Sequence, residues 1–590
     1  MNDPRHLYTE RRAYFEKQVA TFKERFFLLS MLRLAAFLLT VGAVYFSWGN
    51  TLLVTLGVLI GTIVFIALVS QSANVKRRQK YAAQMQRIQE VELAGMTGDF
   101  SSIPNGKAYA HELHFYNEDI DLFGPGSLFE RLNRTETQGG MNTLAAWLNS
   151  NSIDGIEGKQ KMVQELKDKV DWRHHFKASA ALIETDTSSD QVLHWLKEYK
   201  AFIPKFYIWL CLGFSVLSVS VIVAYSLDFI PWSYLLYWLF LGLAISAPYV
   251  RRITHLYNNA NQMRDTLAQY AVLLQAIEEE TFQTEVLLSR QQAIQTQGTK
   301  ASEHLRQLSK RIDYLGNRNN MVFAPIANGY LLWDIYFTLR IDAWFASNDA
   351  AVGVWFSTIE YFDAANSLAN YAFNHPESIY PELVEDTSVV MEAKALAHPL
   401  IKPEKVVRND FHIKSEEFFI VTGANMAGKS TFLRTVSLSI VMSNCGLPIS
   451  AEQFRYKPVR LISSMRTSDS LQNDESYFFS ELKRLKFIVN ALSEQPYFIV
   501  LDEILKGTNS KDKAEGSWKF VERLLSTKSV GLIATHDLSL CELANTYPNV
   551  RNFRFDAQII DDELFFDYTL KNGVCTNMNA SFLLRKMQIV

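Results

Sequence analysis

The chain has 590 residues, with 59 Lys and Arg against 62 Asp and Glu, and its formal net charge is −3. This near-neutral balance excludes the strong overall basic field that attracts nucleic acid without regard to sequence. The length allows about three or four domains. The cysteines lack metal-ligand spacing, which favours reduced thiols over a zinc site or a disulfide framework; they are Cys211, Cys445, Cys541 and Cys575.

The first predicted elements are a cytoplasmic N-terminal helix over residues 1–29 and a transmembrane helical hairpin over residues 30–71. No Asp, Glu, Lys or Arg lies between Leu34 and Val75. At about 20 residues per crossing, this run suits two helices joined at Ser47–Asn50. The alternative is a pair of buried core helices in a soluble protein.

A second apolar run follows a predicted helical core segment at residues 72–205. Residues 206–250 carry Asp228 as their single charge, beside the turn-like stretch 228–233, so we predict a second transmembrane hairpin there. Residues 251–385 are predicted to form the second, helical part of the core and its levers. Basic residues flank both hairpins, which predicts a multi-pass protein of the inner (cytoplasmic) membrane with its soluble parts in the cytoplasm; they are Arg25, Arg33, Lys76, Arg77, Arg78, Lys80, Lys200, Lys205, Arg251 and Arg252.

A glycine-rich loop after the apolar run Phe418–Val421 predicts a phosphate-binding site. Its pattern is G-x-x-x-x-G-K-S, and a helical pattern follows. Such a loop turns successive backbone N–H groups toward phosphate, while Lys429 neutralises the β- and γ-phosphates and Ser430 binds Mg²⁺. The alternative of a chance glycine turn does not explain the coincidence of strand, loop, lysine, hydroxyl and helix. The predicted ATP-binding residues are Gly423, Ala424, Asn425, Met426, Ala427, Gly428, Lys429, Ser430 and Thr431.

Two further apolar strands end in polar residues. Tyr497–Leu501 is followed by Asp502, which can hold Mg²⁺, and by Glu503, which can polarise the water that attacks the γ-phosphate. Val530–Ala534 is followed by His536, a candidate γ-phosphate sensor whose alternative is a structural histidine. We expect the three strands to belong to one parallel sheet, whose carboxyl ends meet at one site.

These motifs resemble the ATPase domain of the MutS family, in the runs Thr422–Thr431, Leu501–Asn509 and Ala534–His536. Between them, Asp474–Leu482 stands where that family has a Ser-rich signature helix. The resemblance implies that Ser476 contacts the γ-phosphate of ATP in a partner subunit. It therefore also implies a homodimer formed through the ATPase domains, with a catalytic set of Glu503, Lys429, His536 and Ser476.

Upstream segments are similar to the beginning of the MutS core domain: Asn117–Phe129, Arg134–Gly140 and Leu144–Leu148. Trp355–Ala372 is similar to the long helix that returns to the ATPase domain, although an ordinary amphipathic helix explains it equally well. The implied fold is multidomain. An α-helical core and lever domain contains the two transmembrane hairpins, and an ABC-type α/β P-loop ATPase domain with a parallel sheet occupies residues 386–590.

The departures from the family concern recognition more than ATP. Nothing before residue 111 resembles the mismatch-reading domain, and no G-x-F-Y-E-like wedge is present. In the loop, Ala424 and Ala427 replace the usual Pro and Gly. We therefore expect an ATP hydrolase that uses Mg²⁺ as a dimer switch and binds the lipid bilayer, with duplex DNA as a candidate partner and without mismatch specificity. The alternative is an ATP-driven membrane-remodelling or protein-partner switch that binds no nucleic acid.

Overall fold

The computed structural model describes residues 3–111, 113–183, 187–295, 300–385, 388–466, 477–506, 509–560 and 563–575. A helical N-terminal region is followed by a C-terminal α/β domain, as the sequence predicts. Within the described residues, four helical stretches are long and apolar enough to cross a membrane by length and composition: Pro4–Phe46, Thr51–Thr97, Tyr207–Ser226 and Ser233–Glu279.

The first hairpin consists of α1 (Pro4–Phe46) and α2 (Thr51–Thr97). Asn50 begins α2 by accepting a hydrogen bond from the backbone N–H of Leu53 at 3.2 Å, which fixes the turn at the predicted place. The most apolar window of each helix is entirely unburied. Both helices continue well past the apolar run, so one end of the hairpin is polar and packs against the rest of the chain.

Five helices of the core follow, each anchored by an apolar face or a side-chain cap. They are α3 (Leu128–Leu132), α4 (Gln138–Asn149), α5 (Ile156–Asp168), α6 (Val170–Ala181) and α7 (Ser189–Glu198). Thr137 caps α4 and Ser188 forms a capping box at the start of α7. The second apolar hairpin comes next, as α8 (Tyr207–Ser226) and α9 (Ser233–Ser246). A 3₁₀ turn at Ala247–Tyr249 joins α9 to the next helix.

The region in which the sequence predicts the levers, residues 251–385, begins with three helices separated by breaks: α10 (Val250–Glu279), α11 (Glu285–Ala293) and α12 (Ala301–Gly316). The break after α10 is held by Glu165, whose carboxylate accepts backbone N–H groups of Gln283 and Thr284, each at 2.8 Å. These contacts satisfy backbone donors that a continuous helix would have paired internally.

A short apolar helix that the sequence analysis did not predict packs against the second hairpin. This helix, α13 (Phe323–Leu331), contacts α9 where Gly242 and Gly329 meet so closely that a Cβ on Gly242 would lie 2.2 Å from the Gly329 carbonyl oxygen. Ser218 of α8 donates to the carbonyl of Tyr330 at 2.6 Å, and Trp238 Nε1 donates to Ser218 at 2.7 Å. Small residues and interhelical hydrogen bonds of this kind stabilise helix pairs in membranes.

Replacing Gly242 with Ala is expected to lower the melting temperature of the detergent-held chain. The added Cβ has to push α9 away from the Gly329 carbonyl, and overpacking of this type costs about 1–3 kcal/mol. The matched control is Gly213→Ala on α8, where a Cβ meets nothing within 4 Å. That control should be neutral or slightly stabilising, because Ala is a better helix former. Equal losses of melting temperature in both variants would contradict the close α9–α13 contact.

The long helix α14 (Trp333–Asn374) leads from α13 to the α/β domain. It has 42 residues, which is about 63 Å at 1.5 Å per residue. Leu332 has a left-handed backbone (φ +50°) and separates α13 from α14. Many residues of α14 are buried, including Trp355, Phe356 and Phe362. This helix is therefore a continuous packed element between the second hairpin and the ATPase-like region.

A buried ion pair ties the polar end of the first hairpin to the core and to α14. Glu92 of α2 contacts Arg134 Nε at 2.6 Å, and both side chains are almost fully buried. Asn370 and Asn374 of α14 donate to the same carboxylate at 3.0 and 2.9 Å. Burial would raise the pKa of Glu92, but the charge and hydrogen bond of Arg134 hold that pKa at about 2. One carboxylate thus joins three separate parts of the chain.

The neighbouring His174 is buried, at 2% relative exposure, in the same polar region. A pair of adjacent histidines, such as His174-His175, without acidic or Cys ligands nearby is expected at the surface, and this expectation is wrong for His174. Its Nδ1 lies 3.3 Å from Gln89 Nε2, and burial lowers its pKa to about 3. A neutral imidazole that accepts hydrogen bonds at Nδ1 fits this place.

In its described residues, the α/β domain contains ten strands and four α-helices. They are β1 (Glu382–Leu383), β2 (Val389–Leu396), β3 (Asn409–Lys414), β4 (Phe418–Gly423), α15 (Lys429–Asn444), β5 (Gln453–Tyr456), β6 (Leu461–Ser464), α16 (Tyr477–Leu492), β7 (Phe498–Asp502), α17 (Ser510–Leu525), β8 (Val530–Ala534), α18 (Leu543–Thr546), β9 (Val550–Ile560) and β10 (Glu563–Asn572).

The main sheet is mixed, with the strand order β10-β9-β4-β8-β7-β6. Neighbours from β9 to β6 are parallel, and β10 runs antiparallel to β9. The expectation of a wholly parallel sheet is therefore wrong at this edge, because a connection this short between β9 and β10 can join only antiparallel neighbours. A second sheet, ordered β1-β5-β2-β3, was not predicted.

Candidate active site

The predicted phosphate loop joins β4 to α15. Every residue of β4 is buried, and Gly428, with φ +102°, begins α15. A side chain at this φ would be strained, and its Cβ would lie 3.0 Å from Tyr568 Cδ1. Glycine is therefore required at this turn, and the N-terminus of α15 faces the loop, the arrangement that binds anions.

Lys429 is held inside this loop. Its side chain is buried at 5% relative exposure, and its Nζ donates to the carbonyls of Gly423 at 2.8 Å and Ala424 at 3.0 Å. Burial lowers the pKa of Lys429, an effect opposed by the charges of Asp502 and Glu503. The amine is thus fixed next to the loop backbone, where a phosphate bound by the N–H groups would meet it.

The other predicted loop residues differ in accessibility. Asn425 and Met426 are exposed, and Met426 has a left-handed backbone (φ +68°). Ala427 is buried, and Ser430 is half-buried in the first turn of α15. The tip of the loop, at Asn425 and Met426, is therefore open to a ligand, while Ala427 packs inside the domain.

The acidic residues follow β7. Asp502 is the last residue of β7 and is half-buried. Glu503 has a left-handed backbone (φ +53°), and its N–H donates to the carbonyl of Ala534 in β8 at 2.9 Å. This bond turns the chain sharply after β7. A non-glycine residue with such a φ is uncommon and concentrates at functional sites.

Glu503 and His536 are hydrogen-bonded at the carboxyl edge of the sheet. His536 Nε2 lies 2.8 Å from Glu503 Oε1, and Lys506 Nζ lies 3.7 Å from Glu503 Oε2. The hydrogen bond from His536, together with the nearby positive charges, lowers the pKa of Glu503 to about 2. Since an ionised carboxylate only accepts, Nε2 carries the proton in this pair. The 3.4 Å approach of Lys429 Nζ to the same nitrogen is then a contact without a hydrogen bond.

The structure therefore brings Lys429, Glu503 and His536 together from three separate strands. These strands, β4, β8 and β7, are adjacent and parallel. The predicted Ser476 lies outside the described residues.

A carboxylate that the sequence analysis did not single out holds the loop after Glu503. Glu481 of α16 is buried at 3% relative exposure, and its two oxygens accept the backbone N–H of Lys506 at 3.3 and 3.0 Å. The helix that follows Ser476 in the chain is thus bonded directly to the segment carrying Glu503. The sequence offered one indication of this role, because Glu481 is an acidic residue within the Asp474–Leu482 run.

The upstream segment that resembled the MutS core docks on this domain. Asp119, at 4% relative exposure, accepts the hydroxyl of Ser463 at 2.6 Å and the backbone N–H groups of Met465 and Arg466 at 3.0 and 2.8 Å. Arg484 of α16 also donates to the carbonyl of Phe115 at 2.8 Å. These hydrogen bonds would therefore transmit a movement of α16 or β6 to the core.

The residues present fit a magnesium ion bound together with phosphate. Ser430 and Asp502 supply a hydroxyl and a carboxylate oxygen, the ligand types that Mg²⁺ prefers. No group of three or more His, Cys, Asp or Glu residues suited to a metal occurs in the described part of the chain. An ion held at Ser430 and Asp502 would therefore complete its coordination with phosphate and water, as Mg²⁺ commonly does.

Comparison with known proteins finds a similarity in this region. Residues 419–585 match the family model described as MutS domain V. The DNA mismatch repair protein MSH4 of Arabidopsis thaliana is 33% identical over 231 residues, which are 38% of this chain and 28% of that protein. These matches show that the C-terminal region is similar to MutS-family proteins. The DNA mismatch repair protein MutS of Persephonella marina is 31% identical over 41% of this chain and 28% of its own length. MutS protein homolog 4 of Homo sapiens is 29% identical over 38% of this chain and 24% of its own length.

The family-model match lies within the C-terminal domain. It begins inside β4 and includes the loop, Asp502, Glu503 and His536, whereas α1 to α14 precede it. The chain spans roughly a quarter of the length of the relatives it matches, 28% of the Arabidopsis protein and 24% of the human one. MutS-family proteins are ATPases that use Mg²⁺, so the family supports the chemistry that the site suggests.

Proposed function

We propose that this chain is a membrane-anchored MutS-like ATPase that hydrolyses Mg-ATP as a dimer switch. The observation that carries the proposal is the meeting of Lys429, Glu503 and His536 at the carboxyl ends of three adjacent parallel strands. Ligands of open α/β sheets bind at this edge. A helix N-terminus, a buried lysine and an ionised glutamate there suit phosphoryl transfer to water.

Each residue has a separable role in this proposal. The N–H groups of the 424–430 loop bind the phosphates, and Lys429 pairs with the β- and γ-phosphates. Ser430 and Asp502 would hold a Mg²⁺ ion, which would supply positive charge beside the phosphate oxygens. Glu503 accepts a proton from the attacking water, and His536, through its hydrogen bond to Oε1, orients that carboxylate. Ser476 of the partner subunit completes the site in the dimer.

The helical region supports the membrane part of this proposal. Four apolar helical stretches are long enough to span, and basic residues flank them on the sides that carry the soluble parts. Apolar side chains such as Leu39 and Ile66 are exposed at 73% and 61%, which a bilayer would cover. We therefore propose an inner (cytoplasmic) membrane location, with α13 and α14 coupling the second hairpin to the core.

Duplex DNA is the second candidate ligand, because two of the relatives are named as DNA mismatch repair proteins. The family match lies in the ATPase domain, and no wedge motif is present in the sequence, so mismatch specificity is not part of this candidate. The other candidate is an ATP-driven remodeller of membranes or a switch for a protein partner. The lack of an overall basic charge is compatible with it.

The test is the rate of ATP hydrolysis by the full chain in nanodiscs, with and without duplex DNA, at low and moderate salt. Hydrolysis that stops when EDTA removes Mg²⁺ is the expected result, and hydrolysis no faster than that of an empty-nanodisc control would contradict the proposal. Stimulation by DNA that weakens steeply with salt would support the DNA candidate. Hydrolysis indifferent to DNA would favour the membrane or a protein partner.

A further inference from the structure

A large groove lies where the polar end of the first hairpin meets the core. Its volume is about 1400 Å³, and α1, α2, α6, α10 and α12 contribute its walls. This exceeds the roughly 300–1,000 Å³ of typical small-molecule pockets. The groove therefore has room for a long amphiphilic ligand.

One wall of the groove is basic. Lys76, Arg77, Arg78 and Lys80 of α2 line it and are exposed, and Arg306 of α12 contributes from the other side. Among the described residues, no carboxylate lies within 4.0 Å of the four α2 cations. The single acidic lining residue is Glu279. The groove thus presents positive charge that the protein does not neutralise.

The remaining wall is largely aromatic and aliphatic. Tyr14, Phe15 and Phe22 of α1 line it together with Leu182 and Ile183. Tyr14 and Phe15 pack edge to face with ring centroids 5.1 Å apart. Such a wall suits hydrocarbon more than a hydrated sugar-phosphate backbone, which argues for a lipid over a nucleic acid.

The groove begins where the apolar part of the hairpin ends. Ala73 and Asn74 line it and lie within the last turn of the uncharged run that ends at Val75, and the four cations follow directly. Lys76 Nζ lies 5.8 Å from the centre of the Phe26 ring on the facing helix. In the proposed membrane orientation, this is the level of the cytoplasmic phosphate groups of the bilayer.

We propose that this groove binds an anionic phospholipid, with the phosphate at the α2 cations and an acyl chain along the Phe15 and Phe22 wall. The proposal rests on the proposed membrane placement. Clusters of Lys and Arg directly cytoplasmic of a membrane helix attract anionic lipid headgroups. Phe15 and Phe22 lie on the cytoplasmic side of Phe26 in α1, so an acyl chain along this wall would leave the bilayer and be covered by the aromatic side chains instead.

The test is the affinity of fluorescently labelled phosphatidylglycerol for the full chain in neutral detergent, beside labelled phosphatidylcholine. We expect phosphatidylglycerol to bind at least tenfold more tightly. The triple variant Lys76→Gln, Arg78→Gln, Lys80→Gln should weaken its binding on the order of 100-fold. The matched control is Arg251→Gln with Arg252→Gln, which removes basic flanking charge after the second hairpin without touching this groove. Its binding should be unchanged.

Three outcomes would overturn the proposal. The first is equal affinity for the two lipids. The second is equal weakening of phosphatidylglycerol binding in the triple variant and in the control. The third is displacement of the labelled lipid by inorganic phosphate at the same concentration at which unlabelled phosphatidylglycerol displaces it. The last result would assign the groove to free phosphate. The lipid measurement needs no ATP, so the two proposals can fail separately. A chain that hydrolyses ATP without lipid selectivity contradicts only the lipid proposal, and a lipid-selective chain without hydrolysis contradicts only the proposed ATPase function.

Discussion

Replacing Glu503 with Gln is expected to lower the turnover number for ATP by about 10²- to 10⁴-fold, the usual contribution of a positioned general base. The amide keeps the shape of the side chain and cannot accept a proton from water. The phosphate loop and Lys429 are untouched by the change, so ATP binding should remain. Turnover is measured in nanodiscs and binding by equilibrium titration with Mg-ATP.

The matched control for this variant is Glu515→Gln. Glu515 is an exposed residue of α17 in the same domain, paired with Lys519 at 2.6 Å. Surface pairs of this type contribute little, so turnover should stay near the wild-type value. Glu503→Gln with unchanged turnover would remove Glu503 from the role of base. Loss of both turnover and ATP binding would mean that the residue shapes the site without acting on water.

Glu92→Gln is expected to reduce the free energy of unfolding by roughly 3–5 kcal/mol, the cost of removing one partner of a buried ion pair. The change leaves Arg134 buried without its carboxylate, and it weakens the hydrogen bonds from Asn370 and Asn374. Chemical or thermal unfolding in detergent measures the effect. Glu90→Gln is the matched control, because Glu90 lies on the same helix and is exposed.

The dependence of this effect on pH has a defined sign. The folded pKa of Glu92, about 2, lies below the ordinary value of 4.5. The stabilisation is therefore fully present above about pH 4.5 and is lost as the pH falls toward 2. The difference between the wild type and Glu92→Gln should be constant from pH 5 to 8 and should shrink below that range. A difference that grows in acid would contradict the ion pair.

The residues of the candidate site could be singled out from the sequence because each occupies a local pattern. The loop, Glu503 and His536 all follow short buried strands, and parallel strands bring their carboxyl ends together. The contact between Glu503 and His536 was not predictable, since it depends on the left-handed turn at Glu503 and on the register of β7 against β8. The bond from Lys506 to Glu481 joins residues far apart in sequence and has no local pattern.

The helical region shows where apolar patterns stop being informative. The hairpin turns are marked by Asn50 and by the stretch around Asp228, and the helix boundaries agree with both marks. The helix α13 was missed because nine residues are far fewer than the about 20 that predict a spanning helix. Its role depends on the Gly242–Gly329 approach, which only the tertiary structure reveals.

The sheets also combine features that a local sequence pattern predicts with features that depend on tertiary contacts. Strands β4, β7 and β8 are uniformly apolar, which is typical of strands covered on both faces. The strands β2, β3 and β5 form a separate sheet from segments separated by the phosphate loop and α15. Pairing between such distant segments is set by packing, so the sequence pattern did not predict it.

Equilibrium binding of Mg-ATP to the full chain in nanodiscs tests most directly whether the Lys429 loop binds the phosphates. The comparison is the wild type beside Lys429→Met. A charged hydrogen bond contributes about 1.5–3 kcal/mol, so the variant should bind Mg-ATP roughly 10- to 150-fold more weakly. A wild-type chain that does not bind Mg-ATP, or a variant that binds it equally well, would contradict phosphate binding by the Lys429 loop.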